Sequence, residues 1–174
     1  MRFVDFLKAT VLLSAGSATL LAALTVANAA GDPTTSLMEI AVGWWIVAAV
    51  VGAWIGRRNA ASPPIARLLA HARSQTSLPE IHPVTTLLNR LWPLLISTLG
   101  ASVVAFFEPQ VASVAAGFAI IWALAWRHQD RAVMAIEERD GIRFYVDRTS
   151  PVSPIQLIRT PGFGGEFLSY DAGS

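Results

Sequence analysis

The sequence predicts an all-α integral membrane protein: four transmembrane helices, N-in and C-in, with a cytoplasmic amphipathic helix and a small C-terminal β-hairpin. Three observations predict it. The 174-residue chain is 53% hydrophobic and only 14% charged, whereas a soluble domain is about a quarter charged. Its apolar residues gather into four stretches long enough to cross a hydrocarbon layer about 30 Å thick. All 13 Lys and Arg residues fall in three segments. Arg2 and Lys8 precede the first stretch. Arg57, Arg58, Arg67, Arg73 and Arg90 lie between the second and third, and Arg127, Arg131, Arg139, Arg143, Arg148 and Arg159 follow the fourth. The connections around Asp32 and Glu108 carry no base, so both termini inside satisfies the positive-inside bias throughout.

Span one covers about 10–29. Arg2, Lys8 and the small-residue run Ala27-Asn28-Ala29 resemble a signal peptide. The uninterrupted apolar stretch from Ala9 to Gly31, however, is long enough for a tilted helix. The expectation is a retained signal anchor. Gly31-Asp32-Pro33 breaks the helix at the first outer turn. Span two covers about 37–56, with Trp44, Trp45 and Trp54 near its ends, as aromatic belts require.

The loop 57–83 contains Ser62-Pro63-Pro64, an N-cap followed by first-turn prolines. Ile65, Leu68, Leu69 and Ala72 follow helical spacing, with Arg67 and Arg73 on other faces. The expectation is a surface helix, its apolar stripe on lipid or a partner and its arginines near anionic headgroups. Span three covers about 84–107, opening at Pro83, with Arg90 in its first turns and Pro93 inside it, where a kink or loosening is expected. Glu108-Pro109 then turns the chain tightly into span four, about 111–126. Spans one to four make a transmembrane domain, 1–130, and 131–174 a cytoplasmic tail.

The tail begins as a helical extension. Asp140-Gly141 signals a turn, and Ile142, Phe144 and Val146 alternate with Arg143, Tyr145 and Asp147 as in a strand. Ser150–Pro154 turns the chain so that Ile155, Gln156, Leu157 and Ile158 can pair back. A lone hairpin is marginal in water, so support from the bundle or another subunit is expected. Gly162-Phe163-Gly164-Gly165 reads as a flexible end.

Reactive constellations are sparse. The chain has no cysteine, which removes disulfides and thiolate sites. Its three histidines, His71, His82 and His128, show no metal-ligand spacing, and no metal or cofactor is expected. None of the four apolar cores carries a charge or a histidine, the usual mark of ion coupling. Ser14, Ser17, Ser97, Ser102 and Ser113 have no base at their depth. A nucleic-acid role is not expected, because the arginines serve orientation.

What the sequence does offer is interaction surface. Ala48, Gly52 and Gly56 place small residues on one helix face, and Ser113 and Gly117 give a weaker version. Packing within the bundle is the preferred reading, with docking on a larger partner as the alternative. Ile65, Leu68, Leu69, Arg67, Arg73, Phe144, Tyr145, Ile155 and Leu157 are the candidate residues for membrane lipids or a partner at the inner face.

The tail from Ile136 to Phe163 (IEERDGIRFYVDRTSPVSPIQLIRTPGF) resembles that of small four-span membrane proteins of mycobacteria and related actinobacteria. The resemblance covers the tail and the span layout and implies no catalytic residue. Some of those proteins look like accessory subunits of Mce-type lipid importers. The expectation is therefore a non-enzymatic accessory or assembly subunit of a larger bacterial plasma-membrane complex, such as an ABC-type lipid importer. Its partners would be other integral membrane subunits, including a permease. Alternatives are an autonomous small transporter or lipid-binding bundle, and an interfacial enzyme acting through Glu80, His82 or Arg90.

Overall fold

The structure, a computed structural model, describes residues 1–31, 36–57, 61–74, 83–147 and 155–161. In chain order the elements are α1 (Phe3–Gly31), α2 (Leu37–Ile55), α3 (Pro63–Ala70), β1 (Arg73–Ser74), α4 (Pro83–Val104), α5 (Pro109–Trp126), α6 (Gln129–Asp140), β2 (Ile142–Val146) and β3 (Leu157–Pro161). The fold is mostly helical, with four helical stretches long and apolar enough to cross a membrane. They are α1, α2, α4 and the stretch from α5 into α6. The turns expected at Asp32-Pro33 and Ser150–Pro154, the pair Glu80 and His82, and the Gly162–Gly165 end lie outside the described residues.

Two compact units emerge. One, the helical unit, comprises 8–58 and 90–128; the other, the sheet unit, comprises 1–7, 59–89 and 129–174. The division cuts across the sequence-based boundary at 130, because the N-terminus and central loop share a unit with the tail.

In the helical unit, α2 and α5 make the close pair. Their contacts run in step along both chains: Trp45 with Ser113, Trp44 with Gly117, Gly52 with Ile121 and Gly56 with Leu124. The two helices are therefore parallel. A methyl at Gly52 would stand 2.9 Å from Ile121 Cα and 3.0 Å from Leu124 Cβ, and one at Gly56 would collide with the Leu124 carbonyl. The glycines thus let the backbones touch, which is how helices gain contact where lipid supplies no hydrophobic drive. Leu21 of α1 packs with Ala105, Ala112 and Ala116 in a buried cluster.

Polar links hold α1. Ser17 and Thr98 hydroxyls lie 3.0 Å apart, and Asn28 Nδ2 donates to the Ala105 carbonyl at 3.2 Å. Residues 17 and 28 thus meet 98 and 105 in order, so α1 and α4 are also parallel. α4 passes through Pro93 without a break. It ends three residues before the expected 107, because the amides of Phe106 and Phe107 bond three residues back, to Val103 and Val104. That tightening is common in a last turn.

The sheet unit contains a three-stranded sheet in the order β1-β3-β2. β2 and β3 pair antiparallel, Phe144 opposite Arg159 and Val146 opposite Leu157. Gly141, at φ 63°, supplies the left-handed residue that turns α6 into β2. The hairpin's support comes from two remote segments of the same chain. β1 joins β3 in parallel, Arg73 opposite Ile158. On the far edge Arg2 bridges Tyr145, and the Val146 amide donates to the Met1 carbonyl at 3.1 Å. Helix α1 starts at Phe3, well before the expected 10, because Phe3, Val4, Phe6 and Leu7 are all buried.

The glycine contacts carry a direct test. Gly56→Ala and Gly52→Leu should each lower the thermal stability of the detergent-purified protein, by about 1–3 kcal/mol of overpacking. Gly100→Ala, where a methyl meets nothing within 4 Å, should be neutral or slightly stabilising. Equal melting temperatures for all three variants would mean that α2 and α5 do not touch as described.

Candidate interaction surfaces

Small-residue positions come first. Ala48, Gly52, Gly56, Ser113 and Gly117 are all buried, and they lie at the α2–α5 contact. Trp45 Nε1 donates to the Ser113 carbonyl at 3.0 Å, and Trp44 Nε1 to the Val114 carbonyl at 3.2 Å. A methyl at Gly117 would enter the Trp44 indole. These helical carbonyls accept a second donor through a free lone pair, so each indole is satisfied without breaking the helix. These small-residue positions are taken up by the α2–α5 contact.

The least covered of the four apolar stretches is α4. Only 6% of its apolar window is buried, against 17% for α2, 28% for the stretch containing α5 and 33% for α1. Trp92, Ile96, Leu99 and Val103 stand 43–67% exposed at spacings of four, three and four, which is one continuous face.

Between α1, α4 and α5 lies a groove of about 340 Å³, walled by Leu21, Leu94, Ala115, Phe118, Ala119 and Trp122. Ser97 and Thr98 also reach it, but both hydroxyls are committed. Ser97 Oγ donates to the Pro93 carbonyl at 2.6 Å and Thr98 Oγ1 to the Leu94 carbonyl at 2.8 Å. With the Thr98 hydrogen used in that way, Ser17 supplies the hydrogen between the two hydroxyls. The groove is left with hydrocarbon walls.

In the sheet unit, the residues expected to meet lipid or a partner divide. Ile65 and Leu69 are 1% and 9% exposed, and Phe144 and Leu157 both 2%. The chain's own fold covers them, so α3 turns its stripe inward rather than onto lipid or a partner. The Ser62 amide donates to Gln129 Oε1 at 2.8 Å, tying the start of α3 to the start of α6. Leu68, Tyr145 and Ile155 are half-buried, while Arg67 and Arg73 remain exposed. So do Arg143 and Arg159, on β2 and β3.

Glu137 was not singled out by the sequence. Its carboxylate is only 5% exposed, and each oxygen has a partner: Arg2 Nη2 donates to Oε2 at 2.8 Å, the Phe144 amide to Oε1 at 2.9 Å. The hydrogen bond that Arg2 donates to Glu137 holds the guanidinium above the ordinary arginine value. One side chain thus joins the N-terminus, α6 and β2. In sequence it reads as half of an acidic pair on the polar side of the tail helix, and no local signal marks it.

Two histidines cap helix ends. His71 Nδ1 lies 2.8 Å from the Arg67 carbonyl and His128 Nδ1 3.0 Å from the Gly56 carbonyl. Each sits at a helix C-terminus, where carbonyls lack intrahelical donors. Among the described residues, no group of three His, Cys, Asp or Glu could hold a metal ion. No protein-family model, curated protein or solved structure matches this chain.

Removing the Glu137 carboxylate should strip Arg2 and the Phe144 amide of their acceptors together. Glu137→Ala is expected to cost about 2 kcal/mol, less than the roughly 3–5 kcal/mol of a fully buried ion pair because Arg2 is partly exposed. Hydrogen–deuterium exchange should speed up at Phe144 and Val146 while α2 and α5 amides stay protected. Unchanged exchange in β2 would show that the carboxylate does not hold the edge.

Proposed function

We propose that this protein is a non-enzymatic accessory subunit of a larger bacterial plasma-membrane complex, with both termini in the cytoplasm. The observation that carries the reading is the open face of α4. A helix that buries so little of itself gains almost nothing from its own bundle, yet the Trp92–Val103 face is continuous and one-sided. Such a face fits lateral docking against another membrane helix. The resemblance of the tail favours the permease of an ABC-type lipid importer as the partner, with exposed Arg67, Arg73, Arg143 and Arg159 facing cytoplasmic parts or anionic lipid.

Orientation follows from the charges of the helical unit. α2 and α5 are parallel, and α4 turns back into α5. Arg57, Arg90 and Arg127 therefore share one end, with Lys8 at the matching end of α1, while Glu39 and Glu108 share the other. A basic end of this kind belongs on the cytoplasmic side. Because the chain has no cysteine, Gln110→Cys and Arg143→Cys each create a single thiol. In intact cells a membrane-impermeant maleimide should label the first and spare the second; the reverse pattern would invert the topology.

Partner docking is checked by purifying the tagged protein in mild detergent from its native membrane. Wild type should bring down other membrane subunits in fixed stoichiometry. Ile96→Trp with Leu99→Trp should release at least nine-tenths of them without lowering expression. A wild-type chain that migrates alone would sink the subunit reading.

A second reading, a lipid-binding bundle, is favoured by the groove alone.

A further inference from the structure

The groove and the charges at one end of the helical unit together have the form of an amphiphile site. We propose that this groove holds one acyl chain of an anionic phospholipid, with the headgroup at Arg90. The inference does not depend on the accessory-subunit reading, and either can fail without the other.

Consider first what the walls accept. Leu21, Leu94, Phe118 and Trp122 offer carbon, and the two hydroxyls that reach the groove are bonded within the bundle. A polar solute would lose its hydration there and find no partner, at a cost of about 1–3 kcal/mol for each unpaired group. A hydrocarbon chain loses nothing. At about 340 Å³ the groove is at the small end of ligand clefts, which suits one chain rather than a whole lipid. Its walls come from the middle turns of α4 and α5, a depth that in a bilayer is occupied by acyl chains.

Consider next what closes one end. Arg90 lies four residues before Leu94, so it continues the groove-lining row of α4 about 6 Å toward the helix N-terminus. On α5, Trp122 stacks on Trp126 with ring centroids 5.5 Å apart, and Arg127 follows at once. Antiparallel α4 and α5 bring Arg90 and Arg127 to the same end of the unit, where Arg57 and Lys8 also lie. Among described residues no acid of the helical unit shares that end: Glu39 and Glu108 are at the opposite one. Arg127 is half-buried at that end, and its guanidinium adds to the positive charge that an anionic headgroup would meet. Apolar walls select the chain, and the arginines select the sign of the head. A zwitterionic lipid would fit the walls equally well but bring an ammonium to a basic cluster.

Native mass spectrometry of the full-length, detergent-purified protein separates these demands. The probes are phosphatidylglycerol and phosphatidylcholine with identical chains. Wild type should retain one phosphatidylglycerol, with about fivefold preference over phosphatidylcholine, the equivalent of one basic residue at an anionic surface. Ala119→Phe and Ala115→Leu, which fill the groove from α5, should lose the retained lipid of either kind while keeping the wild-type far-ultraviolet spectrum. Arg90→Gln should still retain one lipid but with a preference near one. Equal retention of the two lipids by wild type overturns the proposal. So does retention undiminished in a folded groove-filling variant, or a full preference in Arg90→Gln.

Discussion

Lipid tails are as apolar as leucine, so four helices in a bilayer gain nothing from hiding their side chains from one another. What can hold them is close contact, and here that contact is concentrated in a single place. Along α2 and α5 the glycines remove the side chains between two backbones, so dispersion acts over the length of the pair. Trp44 and Trp45 then add an indole hydrogen bond each, and inside a bilayer no water would compete for them. α1 and α4 join through fewer contacts, chiefly Ser17 with Thr98 and Asn28 with the Ala105 carbonyl. The open face of α4 and the groove beside it both follow from this uneven distribution.

Much of the helical unit was legible in the sequence, because its signals are local. Span number follows from apolar length, and the Ala48-Gly52-Gly56 spacing announces a close helix contact. The choice of α5 as the partner was not announced, because small residues say that something comes near and not what. α3 shows the same ambiguity: Ile65, Leu68 and Leu69 state that one face is covered. A membrane surface and a neighbouring strand or helix satisfy the pattern equally, and the covering turns out to be the chain's own.

The sheet unit was much less legible. The β2–β3 hairpin was visible in the alternation of Ile142, Phe144 and Val146. β1 is two residues long and pairs in parallel with residues 85 positions away, which no window of sequence reveals. Met1 and Arg2 on the other edge are equally silent. Glu137 shows the physical reason. A buried carboxylate is tolerable only because its partners come from distant segments, so its burial is a property of the assembled unit and has no local trace.

The Met1 carbonyl bonded to the Val146 amide also has a consequence in time. Ribosomes add about 5–20 residues per second, so the first residue waits roughly seven to thirty seconds for its partner to be made. All four apolar helices precede residue 146, so they are synthesised before this edge can close. Until then β2 does not exist, Arg2 has no carboxylate to meet, and the start of α1 is held by nothing in the sheet unit. Closure of that edge therefore reports that translation has passed residue 146. A chain truncated before Glu137 could still carry four membrane helices, but it would lack the means to fasten its own beginning.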